Sequence, residues 1–395
     1  MQRDALRLHS LDALRGLAAL AVVFWHWQHL QLLGTSKLTW PPPGGFNDHS
    51  KEPFYLVLRV FYEQGFLAVD LFFIISGFIF FWLYQMRISE KKLSIPNFFI
   101  FRLSRLYPLH FTMLILLVSL QFIFLKMSGQ FFVYPSNNLK TFFESLFFIQ
   151  GGGKRSAFNG PEWSLTIEIL VYVIFFALAR FKLLKNALVP FLMIIAGVGL
   201  HFIGTVIHKS ITEDISRGLC GFFVGGLIFM LFQQMRNIQY ARAIVIPLAL
   251  IAVVGWLAVI VDIYDSRKVE TIILSHISFS HSRYILHIII IYGLFPITIL
   301  SIALHEALYS ARYQYISWLG EISYSSYLIH FPLQLIFALS VVSGILAPDA
   351  VRSSIGLIAY LIILIPLSLI VFRKFEVPIQ NALRDRWARS GSNVK

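Results

Sequence analysis

The sequence predicts an all-α fold: a polytopic transmembrane helical bundle of about ten spans, with residues 1–395 forming a single domain. The expectation rests on three properties of the chain. Only 13% of its residues are charged, about half of what a water-facing surface needs. Its mean hydropathy is +0.72, with 38 Phe residues. Mostly apolar runs of about 20 residues, the length that crosses a bilayer as a helix, recur from one end to the other. Such a composition excludes a disordered chain, a nucleic-acid module and a multidomain soluble enzyme. The formal charge of +13 does not point to nucleic acid, because the basic residues flank apolar runs as membrane anchors do. The lone cysteine, Cys220, rules out a disulfide framework and a thiolate metal cluster.

The spans fall near 11–33, 60–84, 107–126, 163–181, 187–207, 215–235, 241–262, 284–304, 316–342 and 353–375. The first begins like a signal peptide, with Arg3 and Arg7 ahead of an apolar core. Arg15 and His26 interrupt that core and no small-x-small cleavage site follows, so a retained helix is expected. Pro41-Pro42-Pro43-Gly44-Gly45 makes a stiff, turn-rich loop after it. Leu139 to Gln150 is too short to cross and ends in Gly151-Gly152-Gly153, which predicts a re-entrant or interfacial helix whose irregular backbone must be satisfied by protein or water. Ten crossings from an inside N-terminus put 20 of the 33 Lys and Arg on the inner side. Both termini, and the basic tail 376–395, are therefore assigned to the cytoplasm. The loops are too short for an appended soluble domain, so any chemistry must be built from helices and their ends. No internal repeat and no inverted pair of broken helices is visible.

Ionisable residues inside spans are costly and mark candidate sites. Arg15 and His26 are eleven residues apart, which at about 100° per residue falls only about 20° from three full turns and about 16 Å along the axis. Asp12 lies near the same face. One stripe thus runs from an acidic–basic pair at the inner surface to an imidazole near mid-membrane, a group that can take a proton from a hydroxyl near neutral pH. In the second span, Asp70 can pair with an arginine or orient the histidine, and Gly65 and Gly77 allow close helix approach. Arg102 and Arg105 stand one helical turn apart at the mouth of the third span, a spacing suited to phosphate groups or lipid headgroups.

The run Pro161-Glu162-Trp163-Ser164-Leu165-Thr166-Ile167-Glu168 starts the span at 163–181. Glu168 lies inside the apolar run, where a carboxylate must be paired or protonated, and Trp163 is expected at the outer interface. Ser323-Tyr324-Ser325-Ser326-Tyr327-Leu328-Ile329-His330 sets hydroxyls and a second imidazole along the span at 316–342. His201, His276, His281, His287 and His305 fall in loops or at span ends. No metal-ligand spacing, phosphate-binding loop or dinucleotide motif is present, so neither a metal nor a permanently bound cofactor is expected.

With Leu11-Asp12-Ala13-Leu14-Arg15-Gly16-Leu17-Ala18-Ala19 and the Arg15-x10-His26 spacing, the sequence resembles the membrane-bound acyltransferase-3 family. The resemblance continues through Val69-Asp70-Leu71-Phe72-Phe73-Ile74-Ile75-Ser76-Gly77-Phe78 and through Arg102-x-x-Arg105 with Leu106-Tyr107-Pro108. It extends to Trp163-Ser164-Leu165 with Glu168, to Ser323-Tyr324 through His330, and to Phe375-Glu376-x-Pro378. These matches run in order along almost the whole chain, which looks like the stand-alone form without a fused soluble hydrolase-like domain. The resemblance implies a multi-pass protein of the bacterial inner membrane. It implies transfer of an acyl group, usually acetyl, from cytoplasmic acyl-CoA to a hydroxyl of a glycan such as lipopolysaccharide, exopolysaccharide or capsule.

Carried over residue by residue, the resemblance makes Arg15, Arg102 and Arg105 donor-binding and His26 and Glu168 catalytic. His26 is then the general base or a transient acyl carrier, with Glu168 or Asp70 setting its tautomer. Trp163, Ser164 or Tyr324 would be available to a developing oxyanion. The competing expectation is a transporter or flippase of a glycan or small acid, using Arg, His and Glu as a proton relay. A third is an acyl-CoA sensor without turnover, against which an intact His26 argues.

Overall fold

The computed structural model of the chain describes residues 7–35, 38, 52–150, 158–207, 210–265, 285–310 and 312–392. The proline-rich loop, Gly151-Gly152-Gly153, His276 and His281 lie outside the described residues, which are helical with no strand among them.

In chain order the helices are α1 (His9–Trp27), α2 (Tyr55–Gln64), α3 (Ala68–Leu83), α4 (Gln85–Ser89), α5 (Ile95–Ser128), α6 (Leu139–Leu146), α7 (Trp163–Arg180) and α8 (Leu188–Ile207). They continue as α9 (Ser210–Met235), α10 (Ala241–Tyr264), α11 (Phe295–Tyr309), α12 (Trp318–Glu321), α13 (Ser323–Val342), α14 (Pro348–Arg352), α15 (Ser354–Val371) and α16 (Val377–Ser392). Among the described residues, 8 helical stretches are long and apolar enough to cross a membrane. The other two expected spans are helical as well. One is α1, interrupted by Asp12, Arg15 and His26, and the other is α8, whose apolar part, Leu188–Gly204, is shorter. The expected interfacial segment is the short α6, started by a reciprocal cap between Asn138 and Thr141. Leu139, Phe143 and Phe147 face outward from it.

Three boundaries differ from expectation. α5 starts at Ile95, capped by Ser94 with Pro96 in the first turn, so Arg102 and Arg105 lie within that helix and not at its mouth. The last span does not stop at residue 375: a π-helical segment, Phe372–Glu376, leads directly into α16. The basic tail is therefore a helix packed on α5, where Arg384 donates to the Phe101 carbonyl (3.0 Å) and to Ser104 Oγ (3.3 Å). Residues 316–322 form a short turn and α12, separate from α13.

The polar helix α1 is kept from lipid by α2, α3, α11, α12 and α13 around it. Apolar surface goes the other way, and α10 presents Leu250, Val254 and Leu257 outward, as a lipid-facing helix does. The tightest seam joins α3 to α9. A Cβ on Gly77 would lie 1.8 Å from the Phe222 carbonyl oxygen, and one on Gly225 would lie 1.9 Å from that of Ile74. Backbones this close leave no room for a methyl group. Gly225→Ala is expected to destabilise the protein by about 1–3 kcal/mol, seen as a lower unfolding temperature in detergent. An unchanged melt would mean the seam is not closed at this spacing.

Candidate active site

One end of the bundle holds a cavity of about 110 Å³. α1 contributes Arg15 to its lining, α5 contributes Arg102 and Arg105, α7 contributes Ser164, Glu168 and Tyr172, and α13 contributes Ser323, Tyr324 and Tyr327. The three guanidiniums outnumber the one carboxylate, so the cavity favours an anion. Arg102 is held in place by stacking, with its guanidinium carbon 4.9 Å from the Phe80 ring centre and 4.6 Å from that of Tyr84, whose hydroxyl it also contacts. Glu168 accepts the hydroxyl hydrogen bond of Tyr172 one turn further along α7. Tyr324 donates its hydroxyl proton to the Leu106 carbonyl at 2.5 Å. Asp12 is within 3.9 Å of Arg15 but belongs mainly to Arg7, which bonds it at 2.6 Å and Glu321 at 2.9 Å. Arg7 thus bridges Asp12 of α1 to Glu321 of α12, and Asp12 does not line the cavity.

His26, near the other end of α1, lines a second cavity of about 20 Å³, with Trp25, Phe66, Val69, Tyr134, Trp163, Arg217 and Tyr327 also in its wall. This is room for about one water. Val69 and Tyr327 line both cavities. The Arg15 and His26 cavities therefore adjoin at these two side chains.

His26 lies among imidazoles. Its ring centre is 4.9 Å from that of His330 and 5.0 Å from that of His29. Carbonyl oxygens only accept, and this sets the tautomers. His330 Nδ1 lies 2.7 Å from the Tyr327 carbonyl, so that nitrogen carries the proton and Nε2 is the acceptor. His26 Nδ1 lies 3.0 Å from the Val22 carbonyl and 3.2 Å from His330 Nε2, so it donates to both. Nε2 of His26 is left as the basic nitrogen. Gln334 donates to the His26 carbonyl at 3.0 Å, and its amide oxygen accepts from His29 Nδ1 at 3.0 Å.

Several expectations change. Asp70 and Glu168 do not set the tautomer of His26; Val22 and His330 do. Asp70 forms a two-pronged ion pair with Arg217, 3.0 Å from Nε and 2.7 Å from Nη2. Trp163 is not in an outer aromatic belt but buried, with the Arg217 guanidinium 5.0 Å from its ring centre. α7 starts in the interior, which puts Glu168 in the same cavity as the three arginines. Ser164 bonds the Tyr327 hydroxyl at 2.9 Å, and that hydroxyl also donates to the Pro161 carbonyl at 2.6 Å.

Sequence reasoning passed over Arg217 and His29, and named Tyr327 only as one hydroxyl in the Ser323–His330 run. Arg217 had a signal, since an arginine inside the apolar run 215–235 needs a buried acid. His29 follows His26 by three residues and so shares its face.

A family model described as an acyltransferase domain matches residues 8–373. The chain belongs to the acyltransferase 3 family. The match covers every element that supplies the acyltransferase with a cavity residue, from α1 to α13. It is an integral, multi-pass membrane protein with acyltransferase activity as its family function. No curated protein and no solved structure matches the acyltransferase.

Proposed function

We propose that the protein transfers an acyl group, specifically acetyl, from cytoplasmic acyl-CoA to a hydroxyl of a glycan such as lipopolysaccharide, exopolysaccharide or capsule, at the bacterial inner membrane. The observation that carries this reading is the pair of cavities meeting at Val69 and Tyr327, one lined by arginines and the other by His26. CoA is polyanionic and suits the arginine-lined cavity, where Arg15, Arg102 and Arg105 would hold its phosphates by charge-assisted hydrogen bonds. Its thioester then points across the Val69–Tyr327 layer.

In the reaction, His26 Nε2 takes the proton of the acceptor hydroxyl as the oxygen attacks the thioester carbonyl. The C–O bond forms, the C–S bond breaks, and the proton passes to the departing CoA thiolate. The imidazolium formed in between is stabilised at Nδ1 by the Val22 carbonyl and by His330. His26 Nε2 can instead carry the acyl group in a two-step route. Labelled acyl retained on the protein without acceptor would identify that route.

The test is consumption of labelled acetyl-CoA by membranes containing the protein, together with ester-linked acetate on surface glycans of cells with and without it. Movement of unmodified substrate without acetyl-CoA would instead identify a transporter. Arg15→Ala is expected to raise the KM for acetyl-CoA about tenfold or more, the scale of one lost charge-assisted hydrogen bond, with a smaller change for the acceptor. Equal loss of both would count against Arg15 as a phosphate ligand.

A further inference from the structure

His110 on α5 and Glu162 in the turn before α7 face each other with no exposure of either side chain, His110 Nδ1 lying 3.4 Å from Glu162 Oε1. His110 Nε2 lies 2.9 Å from the Ser145 carbonyl oxygen, so it must be the protonated nitrogen of a neutral ring. A neutral His110 would then turn the lone pair of Nδ1 onto a carboxylate oxygen, two acceptors in contact without water. Burial at this depth tolerates neither that contact nor an uncompensated carboxylate. One additional proton between Nδ1 and Oε1 resolves both problems and leaves the pair with no net charge.

The pair holds the turn that shapes both cavities. Asn159 Nδ2 donates to Glu162 Oε1 at 3.1 Å and to the Leu328 carbonyl at 3.3 Å. That carbonyl lacks its usual helical donor because Pro332 follows four residues later on α13. The Pro161 carbonyl accepts from Tyr327, one of the two residues common to both cavities. Gly160 lies against the Tyr134 ring, where a Cβ would come within 1.9 Å of Cζ, and Trp163 follows Glu162 directly into the His26 cavity. On the other side of His110, the Phe148 ring centre is 4.2 Å away and that of Tyr107 is 6.1 Å away.

We propose that His110 and Glu162 share a buried proton and act as a positioning pair, fixing the Asn159–Trp163 turn and through it the Tyr327 layer between the donor cavity and His26. The inference rests on the two-cavity reading of the site. Neither residue lines either of the two cavities, so the pair acts through Tyr327 and Trp163 and not on substrate.

Glu162→Gln separates the possibilities, because its amide N–H supplies permanently the proton that the pair otherwise shares, at the cost of the single neutral hydrogen bond that Asn159 makes to Oε1. In membranes assayed with acetyl-CoA, Glu162→Gln is expected to keep kcat within about threefold of the parent, while Glu162→Ala and His110→Ala lose at least tenfold in kcat with less change in KM for acetyl-CoA, the scale of one buried group left unsatisfied. Melting in detergent should follow the same order, with Glu162→Gln near the parent and both alanine variants lower. A folded Glu162→Gln as inactive as Glu162→Ala would overturn the proposal, since Glu162 would then have to ionise or move a proton itself. Alanine variants with parental kcat and melting would overturn it too. Failure of the parent protein to consume acetyl-CoA would count against the functional reading alone, and the melting order would still decide the shared proton.

Discussion

His26→Ala is expected to lower acyl transfer by about 10²–10⁴-fold, the usual contribution of a positioned general base, in protein that still inserts and folds. The geometry behind this is a chain of fixed tautomers. The Tyr327 carbonyl takes the Nδ1 proton of His330, His330 Nε2 takes that of His26, and the basic Nε2 of His26 remains. His330→Ala removes one of the two acceptors for the His26 Nδ1 proton while the Val22 carbonyl, 3.0 Å away, remains. Its loss in rate should therefore be smaller, about tenfold, the scale of one buried hydrogen bond. The comparison is made by initial rates of acetyl-CoA-dependent esterification at equal amounts of folded protein. Full acylation by folded His26→Ala would remove the histidine from the chemistry.

Asp70→Ala is expected to be among the most damaging substitutions for stability. Asp70 is 1% exposed and grips Arg217 with both oxygens, while Arg217 also reaches the Phe66 carbonyl at 3.3 Å and covers Trp163. Removing the carboxylate leaves a guanidinium that is mostly buried without its counter-charge, at a cost of about 3 kcal/mol, whereas replacing both charges together is often close to neutral. The single variant should therefore melt well below the parent protein in detergent. The double variant Asp70→Ala with Arg217→Met should recover most of the loss. A double variant no better than the single would show that the charges act separately.

Much of the architecture could be read from residues alone. Apolar runs set the span positions because the hydrocarbon thickness sets helix length, and each of the ten expected spans contains a helix. The Arg15–His26 stripe followed from helical periodicity, and the two residues do line adjoining cavities. Boundaries were legible only where a cap or a change of polarity marks them. α5 starts twelve residues ahead of its apolar core because Phe98, Ser104 and Leu106 give its first part a buried face that hydropathy averaging dilutes with Arg102 and Arg105.

The partners of the polar residues were not legible in the same way. Asp70 and Arg217 are 147 residues apart, and His26 and His330 are 304 apart. No local pattern ties such pairs together. Trp163 matched an interfacial tryptophan by its place at the start of an apolar run, and only the burial of the preceding turn put it inside.

By itself, the sequence determined that this chain lives in a membrane as a helical bundle and that its first helix carries a basic and an imidazole group on one face. Those are consequences of composition and of a fixed helical period. Only the tertiary structure decided which acid meets which base, which nitrogen of His26 is basic, and that a single layer at Val69 and Tyr327 divides the two cavities. The physical reason is that a buried hydrogen bond or ion pair depends on distance in space, and the packing of helices far apart in the chain sets that distance.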